Sequence, residues 1–542
     1  MAQRGVHYRR HSNATSVVRR IRASGGAQHP TNLPRSVRHR RLRSYHPRRR
    51  VTRVDFVSRL PFELVSSLIL PSALMIPSRQ TFAYLQVCRT WRQRVLQSVG
   101  FHFYSGARVT FGDKQIMLAY APYITRIALG NPSELPLYFF SRSQFTCLQS
   151  LDLTLAFEND IHALIRLLQP IAAALKEIKL TISPRMSNAA VRLVSTSITQ
   201  PLEENDIIGL LERFPSLQLL SLPHCQYSTP LSLMPQYCRY LDSLTYSSQT
   251  GVLEAMRYPR TDNAIGLHSV YVTAGENYHL GDIASLLASH CDTLTTIVLA
   301  GKMNHQSSSS RSSSTMLSQD AHFKHLNHLF FYPDDDDGGN VLLQWILKGA
   351  PNAREIEMAK CNVDNDAVYH TMKKMTNLES LSFALPSTAI ISGLEYHAST
   401  LRHRSNLRSL SIDVHFSGNE CPRAWRAVAR LSNLRELFMQ LRGATLDQEF
   451  VAFIEALAHG CPELRELILE APMEFPTAII SKFPLYPKLQ ELTLGSPNFW
   501  NESLLPILQC PSLEALYVER EQMSEKVAEA LAYLTGDAWL SH

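Results

Sequence analysis

The chain has 542 residues, 45% of them hydrophobic and 19% charged, with a mean hydropathy of −0.11. That is more apolar material than a single compact core uses, so several domains or one long repeat array are expected. No apolar run reaches the length of a membrane span and the N-terminus has no apolar h-region, so neither a membrane protein nor a secreted one is expected. The net charge of +7 hides an asymmetry. Residues 1–53 hold fifteen Arg and no Lys, Asp or Glu, which leaves 39 basic against 47 acidic residues, a balance of −8, for the rest. Nine cysteines without a Cys-x-x-Cys pair fit free thiols in a reducing compartment, so the expected localisation is nucleus and/or cytoplasm.

The Arg-rich arm, residues 1–53, is too charged and too poor in apolar residues to fold, and reads as disordered. Three readings stand side by side: a nuclear-import or polyanion-binding arm, a mitochondrial presequence around Val17-Val18-Arg19-Arg20-Ile21-Arg22, and a solvated extension. It lacks aromatic residues interleaved for base stacking, so nucleic acid is not an expected partner.

Residues 54–99 follow as three short amphipathic segments. Pro61 has the fixed φ suited to a first helical turn, and Leu64, Val65, Leu68 and Ile69 then make one apolar face that Pro71 ends. Phe82 and Leu85 lead into a third segment, where Cys88, Trp91, Val95 and Leu96 share a face. So small a bundle buries little surface alone and needs a partner. It could be a helical cap on the following domain. The pattern Leu60-Pro61, Glu63-Leu64 and Val87-Cys88-Arg89-Thr90-Trp91 also resembles the F-box, the three-helix module that docks on a Skp-type adaptor in cullin–RING ubiquitin ligases. The chain departs from that family in a longer middle, around 70–78, and in Arg79-Gln80 where an acidic residue is usual. The resemblance implies an adaptor contact through Leu60, Pro61, Glu63, Leu64, Leu68, Ile69, Leu85, Val87, Cys88 and Trp91.

From residue 120 onward the pattern L-x-x-L-x-L, with apolar substitutions, returns fifteen times, from Ile124/Ile127/Leu129 to Leu513/Leu516/Val518. Most copies stand 24 to 30 residues apart, the exceptions being the steps from Leu175 to Leu217 and from Leu294 to Leu326. Helical faces lie between them, such as Phe450, Phe453, Ile454, Leu457 and Ala458, or Val341, Leu342, Trp345 and Ile346. Strand, loop, helix and loop at this period resemble the leucine-rich repeats of F-box proteins. The expected fold is therefore an α/β leucine-rich-repeat solenoid over 100–523, a horseshoe with concave strands and convex helices. It is interrupted by an insertion at 183–204, which could hold a degenerate repeat near 191–194, and by a Ser-rich loop at 306–318. A capping helix is expected within 524–542. Cys225 and Cys361 stand three residues past the third apolar strand position, while Cys291, Cys461 and Cys510 precede strands by three, so all five read as structural thiols.

No G-x-G-x-x-G, G-x-x-x-x-G-K-[ST], H-E-x-x-H or G-x-S-x-G occurs, and no catalytic residue, cofactor or metal is expected. His322, His325 and His328 lead into a strand, where residues three apart face opposite ways. Asp334–Asp337 resembles a calcium loop, but Trp345 stands where its closing Glu belongs, and the acids better complement the start of a helix over 341–347.

What remains is a surface. The third, fifth and seventh positions of each strand pattern should face the concave side, which singles out Glu436, Phe438, Glu466, Ile468, Glu470, Glu491, Tyr517 and Glu519 as a candidate substrate stripe. Acidic residues with apolar ones between them suit a basic, partly apolar segment of a target protein, although the glutamates could also be merely solvated. Together these features imply a non-enzymatic substrate receptor, monomeric within a hetero-complex that holds a Skp-type adaptor and cullin. The alternative is a leucine-rich scaffold, nuclear or otherwise, without ligase coupling.

Overall fold

The structure is a computed structural model. It describes residues 101–105, 118–129, 144–155, 160–182, 204–222, 225–248, 266–275, 277–303, 321–333, 337–358, 370–383, 388–401, 405–414, 421–442, 446–495 and 501–518, with isolated positions 92, 93, 115 and 140.

Sixteen described strands form one parallel sheet in strict sequence order. The first eight are β1 (Phe101–Ser105), β2 (Ile124–Leu129), β3 (Ser150–Leu155), β4 (Glu177–Ile182), β5 (Leu219–Leu222), β6 (Ser243–Ser247), β7 (Ser269–Ala274) and β8 (Thr296–Gly301). The rest are β9 (His328–Pro333), β10 (Glu355–Met358), β11 (Ser380–Phe383), β12 (Ser409–Val414), β13 (Glu436–Leu441), β14 (Glu466–Glu470), β15 (Glu491–Gly495) and β16 (Ala515–Val518). Helices between them include α1 (Asp160–Leu168), α2 (Glu204–Arg213), α3 (Thr229–Tyr237), α4 (Leu280–Ser289), α5 (Asp337–Gly349), α6 (Thr388–Tyr396), α7 (Cys421–Val428), α8 (Gln448–Gly460) and α9 (Thr477–Ile480).

The register places equivalent repeat positions opposite one another. Leu437 pairs with Leu467, Leu467 with Leu492 and Leu492 with Leu516. All fifteen repeats become strands β2–β16, and their leucine-type positions are almost wholly buried, with Leu513 and Val518 at the last strand only partly so. Neighbouring parallel strands stand about 4.8 Å apart whereas packed helices need about 8–10 Å, so the stack bends with its strands on the inside. The chain is an α/β leucine-rich-repeat solenoid.

One strand lies outside the fifteen. β1 pairs with β2, with Phe103 opposite Ile127 and Ser105 opposite Leu129. Phe103 does a leucine's work there, at 1% exposure. β4 pairs directly with β5, and the suggested repeat near 191–194 lies outside the described residues. The ladder also passes straight from β8 to β9, across the Ser-rich loop at 306–318. That loop, residues 1–53 and residues 524–542 lie outside the described residues.

Two further expectations need correction around α5. The helix begins at Asp337, four residues before the expected start, which takes Gly338 and Gly339 into its first turn. A Cβ on Gly339 would stand 3.3 Å from Pro333 Cβ, so the glycine lets the helix close onto the end of β9. Val341 is exposed rather than facing the core, where Leu342, Leu343, Ile346 and Leu347 are buried. The helix α8 follows its expected face, with Phe450, Phe453, Ile454, Leu457 and Ala458 all buried. Its start is capped by Asp447, whose carboxylate accepts from the Glu449 and Phe450 amides at 3.0 and 3.1 Å.

A side-chain ladder runs along the turns that precede the strands. Asn352, Asn406 and Asn433 each stand just before the first apolar position of a repeat. Their Nδ2 groups donate to the carbonyls of Lys324, Thr376 and Ser405, each in the preceding repeat, at 3.3, 3.2 and 2.7 Å. The hydroxyl of Ser512 does the same to Pro487 at 2.7 Å. Turn carbonyls that would otherwise lack partners are thus joined repeat to repeat.

Four of the described cysteines behave as packing groups. Cys225 is fully buried and donates to the Leu222 carbonyl at 3.8 Å, and burial pushes its thiol up. Burial likewise pushes Cys238, Cys461 and Cys510 up to about 12. Thiols held protonated in this way are poor nucleophiles. Cys361 lies outside the described residues.

Candidate interaction surface

Alternation along each strand sends every second side chain to the concave side. Over β10–β16 this makes two rows that run across the strands. The first holds Glu355, Ser380, Ser409, Glu436, Glu466, Glu491 and Ala515, each beside the next in the register. The second holds Glu357, Ser382, Ser411, Phe438, Ile468, Thr493 and Tyr517. Side chains in both rows are exposed or half-buried, apart from Ala515.

The carboxylates of Glu436, Glu466 and Glu491 come from adjacent strands, about 4.8 Å apart in the pairing direction. Glu466, in the middle, is held above the ordinary carboxylate value by burial first, then by the charges of Glu491 and Glu436. Tyr517 is raised for the same reasons, burial leading and Glu491 and Glu466 following. Among the described residues no Lys or Arg forms an ion pair with any of the three glutamates.

A third row, further along the strands, is different because its charges are answered. Arg442 stands 3.5 Å from Asp413 and donates to Gln440 at 2.7 Å, and Gln440 donates to Glu470 at 3.0 Å. Glu470 therefore belongs to an internal chain of contacts rather than to the open carboxylate row. At the other end of the open face, His328 Nδ1 and Glu355 Oε2 lie 2.8 Å apart. His322 and His325 do not join His328 there, since they lie in the turn before the strand.

The concave side of β5–β9 is more covered than that of β10–β16, although Ser243, Ser269 and His328 stay half-buried. Ser221, Thr245, Tyr271, Thr296, Val298 and Phe330 are all buried, and Tyr271, Val298 and Phe330 form a small apolar cluster apart from the main core. Further back, Lys179 and Asp152 approach to 3.9 Å and Ser150 donates to Glu177 at 2.7 Å. The concave carboxylates without a described ion pair, Glu436, Glu466 and Glu491, thus lie side by side on β13–β15.

Of the residues singled out by sequence, Glu436, Phe438, Glu466, Ile468, Glu470, Glu491 and Tyr517 share this face. Glu519 lies outside the described residues, as do Leu60, Pro61, Glu63, Leu64, Leu68, Ile69, Leu85, Val87, Cys88 and Trp91. The serine pairs on β11 and β12 were missed, although the same third-and-fifth-position rule locates them. Arg442 was missed because it follows its strand and its partners come from β12 and β13.

No family model matches the chain, and no curated protein matches it in sequence. Solved structures with a similar course include a leucine-rich-repeat protein of Leptospira interrogans, at 13% identity, covering 81% of this chain and 94% of that one, with a TM-score of 0.36. The yeast Rad7–Elc1 complex is similar at 15% identity, covering 85% of this chain and 89% of that one, with a TM-score of 0.36. The TLR13–ssRNA13 complex is similar at 13% identity, covering 76% of this chain and 55% of that one, with a TM-score of 0.36. The solenoid assignment stands on the chain's own sheet register.

Proposed function

We propose that the chain is the substrate-recognition subunit of a cullin–RING ubiquitin ligase of the Skp–cullin–F-box type. Its segment 54–99 holds a Skp-type adaptor and its solenoid holds the target protein. The observation that carries this reading is the order of two features: the Leu60-Pro61…Val87-Cys88-Arg89-Thr90-Trp91 pattern, and then a solenoid of sixteen described strands with an open concave face over its last strands. In this reading the chain does no covalent chemistry. It speeds ubiquitin transfer by holding the target near the ligase's catalytic subunits, which turns a bimolecular encounter into a local one. A stack of repeats in which each packs on the next suits that role, since it sets the distance between the two docked partners. The working compartment is the nucleus, the cytoplasm or both.

Co-purification tests the proposal. The unaltered chain should recover adaptor and cullin, and Leu60→Ala, Pro61→Ala and Trp91→Ala together should lose both while the chain stays folded. Recovery of neither partner by the unaltered chain would leave a leucine-rich interaction scaffold without ligase coupling.

A further inference from the structure

The open concave face over β11–β16 has two rows of opposite character. The first row carries three carboxylates on consecutive strands, Glu436, Glu466 and Glu491, before it ends at Ala515. The second offers Phe438, Ile468 and Tyr517, with Thr493 between the last two. Two residues along a strand separate the rows, which is about 6.8 Å. Beside them, Ser380, Ser382, Ser409 and Ser411 form a block of small side chains that leaves room above the sheet.

Charge and shape together select an occupant. Three in-register carboxylates with no ion-paired cation among the described residues repel one another across about 4.8 Å, and Glu466 is raised by burial first and then by its two neighbours' charges. A ligand carrying cations relieves it, whereas one carrying phosphate adds to it. The third row cannot supply the relief, because Arg442 is already engaged with Asp413 and Gln440. An extended segment laid between the two open rows sends alternate side chains to each side. Basic residues then meet Glu436, Glu466 and Glu491, while apolar ones meet Phe438, Ile468 and Tyr517. Five strand intervals span about 24 Å, which an extended chain covers in about seven residues at about 3.4 Å each.

We infer that this face binds an extended segment of alternating basic and apolar residues, and that it reads the segment in its unphosphorylated state. The inference rests on the proposal that the solenoid is a protein receptor, and adds the class of segment and its modification state.

The test uses the purified full chain and a fluorescein-labelled peptide, Arg-Leu-Arg-Leu-Ser-Leu-Arg-Leu-Arg-Leu, in anisotropy titrations at physiological ionic strength. Its phosphoserine form and a form with every Arg replaced by Glu complete the set. Expected is saturable binding of the first peptide, with the other two about tenfold weaker or worse. Glu436→Gln, Glu466→Gln and Glu491→Gln together should weaken the first peptide about tenfold, since exposed ion pairs are individually weak. A control with Glu212→Gln, Glu449→Gln and Glu463→Gln makes the same change in net charge elsewhere and should bind as the unaltered chain does. Melting temperatures taken alongside confirm that both variants are folded.

Absence of saturable binding overturns the inference. So does equal loss in the two triple variants, which would mark a general charge effect, and so does equal binding of the phosphorylated peptide. The adaptor plays no part in this measurement. Failed adaptor capture with intact peptide binding would sink the ligase reading alone, and the converse would sink only this inference.

Discussion

The Nδ2 group of Asn433 reaches across one repeat to the Ser405 carbonyl at 2.7 Å, and Asn406 and Asn352 repeat the contact further back. Each bond ties a turn to its predecessor, so its loss acts on the interface between repeats. Asn433→Ala should lower the unfolding free energy by about 1 kcal/mol, and Asn352→Ala, Asn406→Ala and Asn433→Ala together by about 3 kcal/mol. Urea denaturation followed by far-UV circular dichroism would show this. A triple variant with an unchanged midpoint would mean that water replaces the contacts without loss.

His397 is a buried group with an acid-side liability. It is 1% exposed, with Nε2 3.1 Å from the Met372 carbonyl and Nδ1 3.0 Å from the Ser405 hydroxyl. The carbonyl can only accept, so Nε2 carries the proton and Nδ1 accepts from Ser405. Burial lowers its pKa below the ordinary value of 6.5, the Met372 bond opposing only in part. A histidine with a depressed native pKa binds more protons when unfolded, so its contribution to stability is full above 6.5 and falls as the pH drops below that value. The melting temperature should decline from neutral pH toward mild acid, and less steeply in His397→Gln. Equal slopes in the two proteins would refute the assignment.

Glu466 works the other way. Its native pKa is raised, so the ionised form is the less comfortable one in the folded chain. Glu466→Gln should therefore stabilise the chain at neutral pH, by up to about 1 kcal/mol after allowance for solvent screening. The gain should vanish as the pH falls below the ordinary value of 4.5, where the unfolded carboxyl is also protonated. A side chain that costs stability on an open face is the pattern expected where binding has set the residue.

Leucines of the ladder should differ by position. Leu467 is fully buried between β13 and β15, whereas Leu513 precedes the last described strand and is partly covered. Leu467→Ala should cost about 3–4 kcal/mol and Leu513→Ala about 1–2 kcal/mol in chemical denaturation. A similar loss at both sites would show that the final repeat is as well covered as an inner one.

Gly301 ends β8 at φ 86°, and a Cβ there would run into the Ala274 carbonyl. Gly301→Ala should therefore destabilise by about 2 kcal/mol or more, since both the backbone conformation and the space oppose it. Thermal unfolding of the variant at the unaltered midpoint would show that the strand end simply moves aside.

The parts of the fold open to sequence reasoning were those governed by period. Strands β2–β16 announce themselves because a core-facing residue at every second place leaves the same three-point mark each time. β1 carries Phe101, Phe103 and Ser105 in place of leucines, so only its pairing with β2 reveals it. Val341 was misplaced because the apolar run Val341–Leu343 is continuous, so the period alone fits a face one residue earlier than the buried one, Leu342, Leu343, Ile346 and Leu347. The row of Glu436, Glu466 and Glu491 was legible, being a matter of alternation, but its lack of counter-ions was not. That depends on where Arg442 turns after its strand. Likewise no local pattern shows that Tyr271, Val298 and Phe330 are shielded while Phe438 and Ile468 are half-open.

The strict strand order, each strand bonded only to its sequence neighbours, also bears on how the chain comes into being. Contacts join residues about one repeat apart, so a newly emerged repeat finds its docking surface already made by the one before it. Most repeats span 24 to 30 residues. At synthesis rates of about 5–20 residues per second, one such unit leaves the ribosome every few seconds, far longer than a helix or a short strand takes to form. Assembly can therefore keep pace with translation, with the acidic face over β13–β15 completed only after the twelve strands before it.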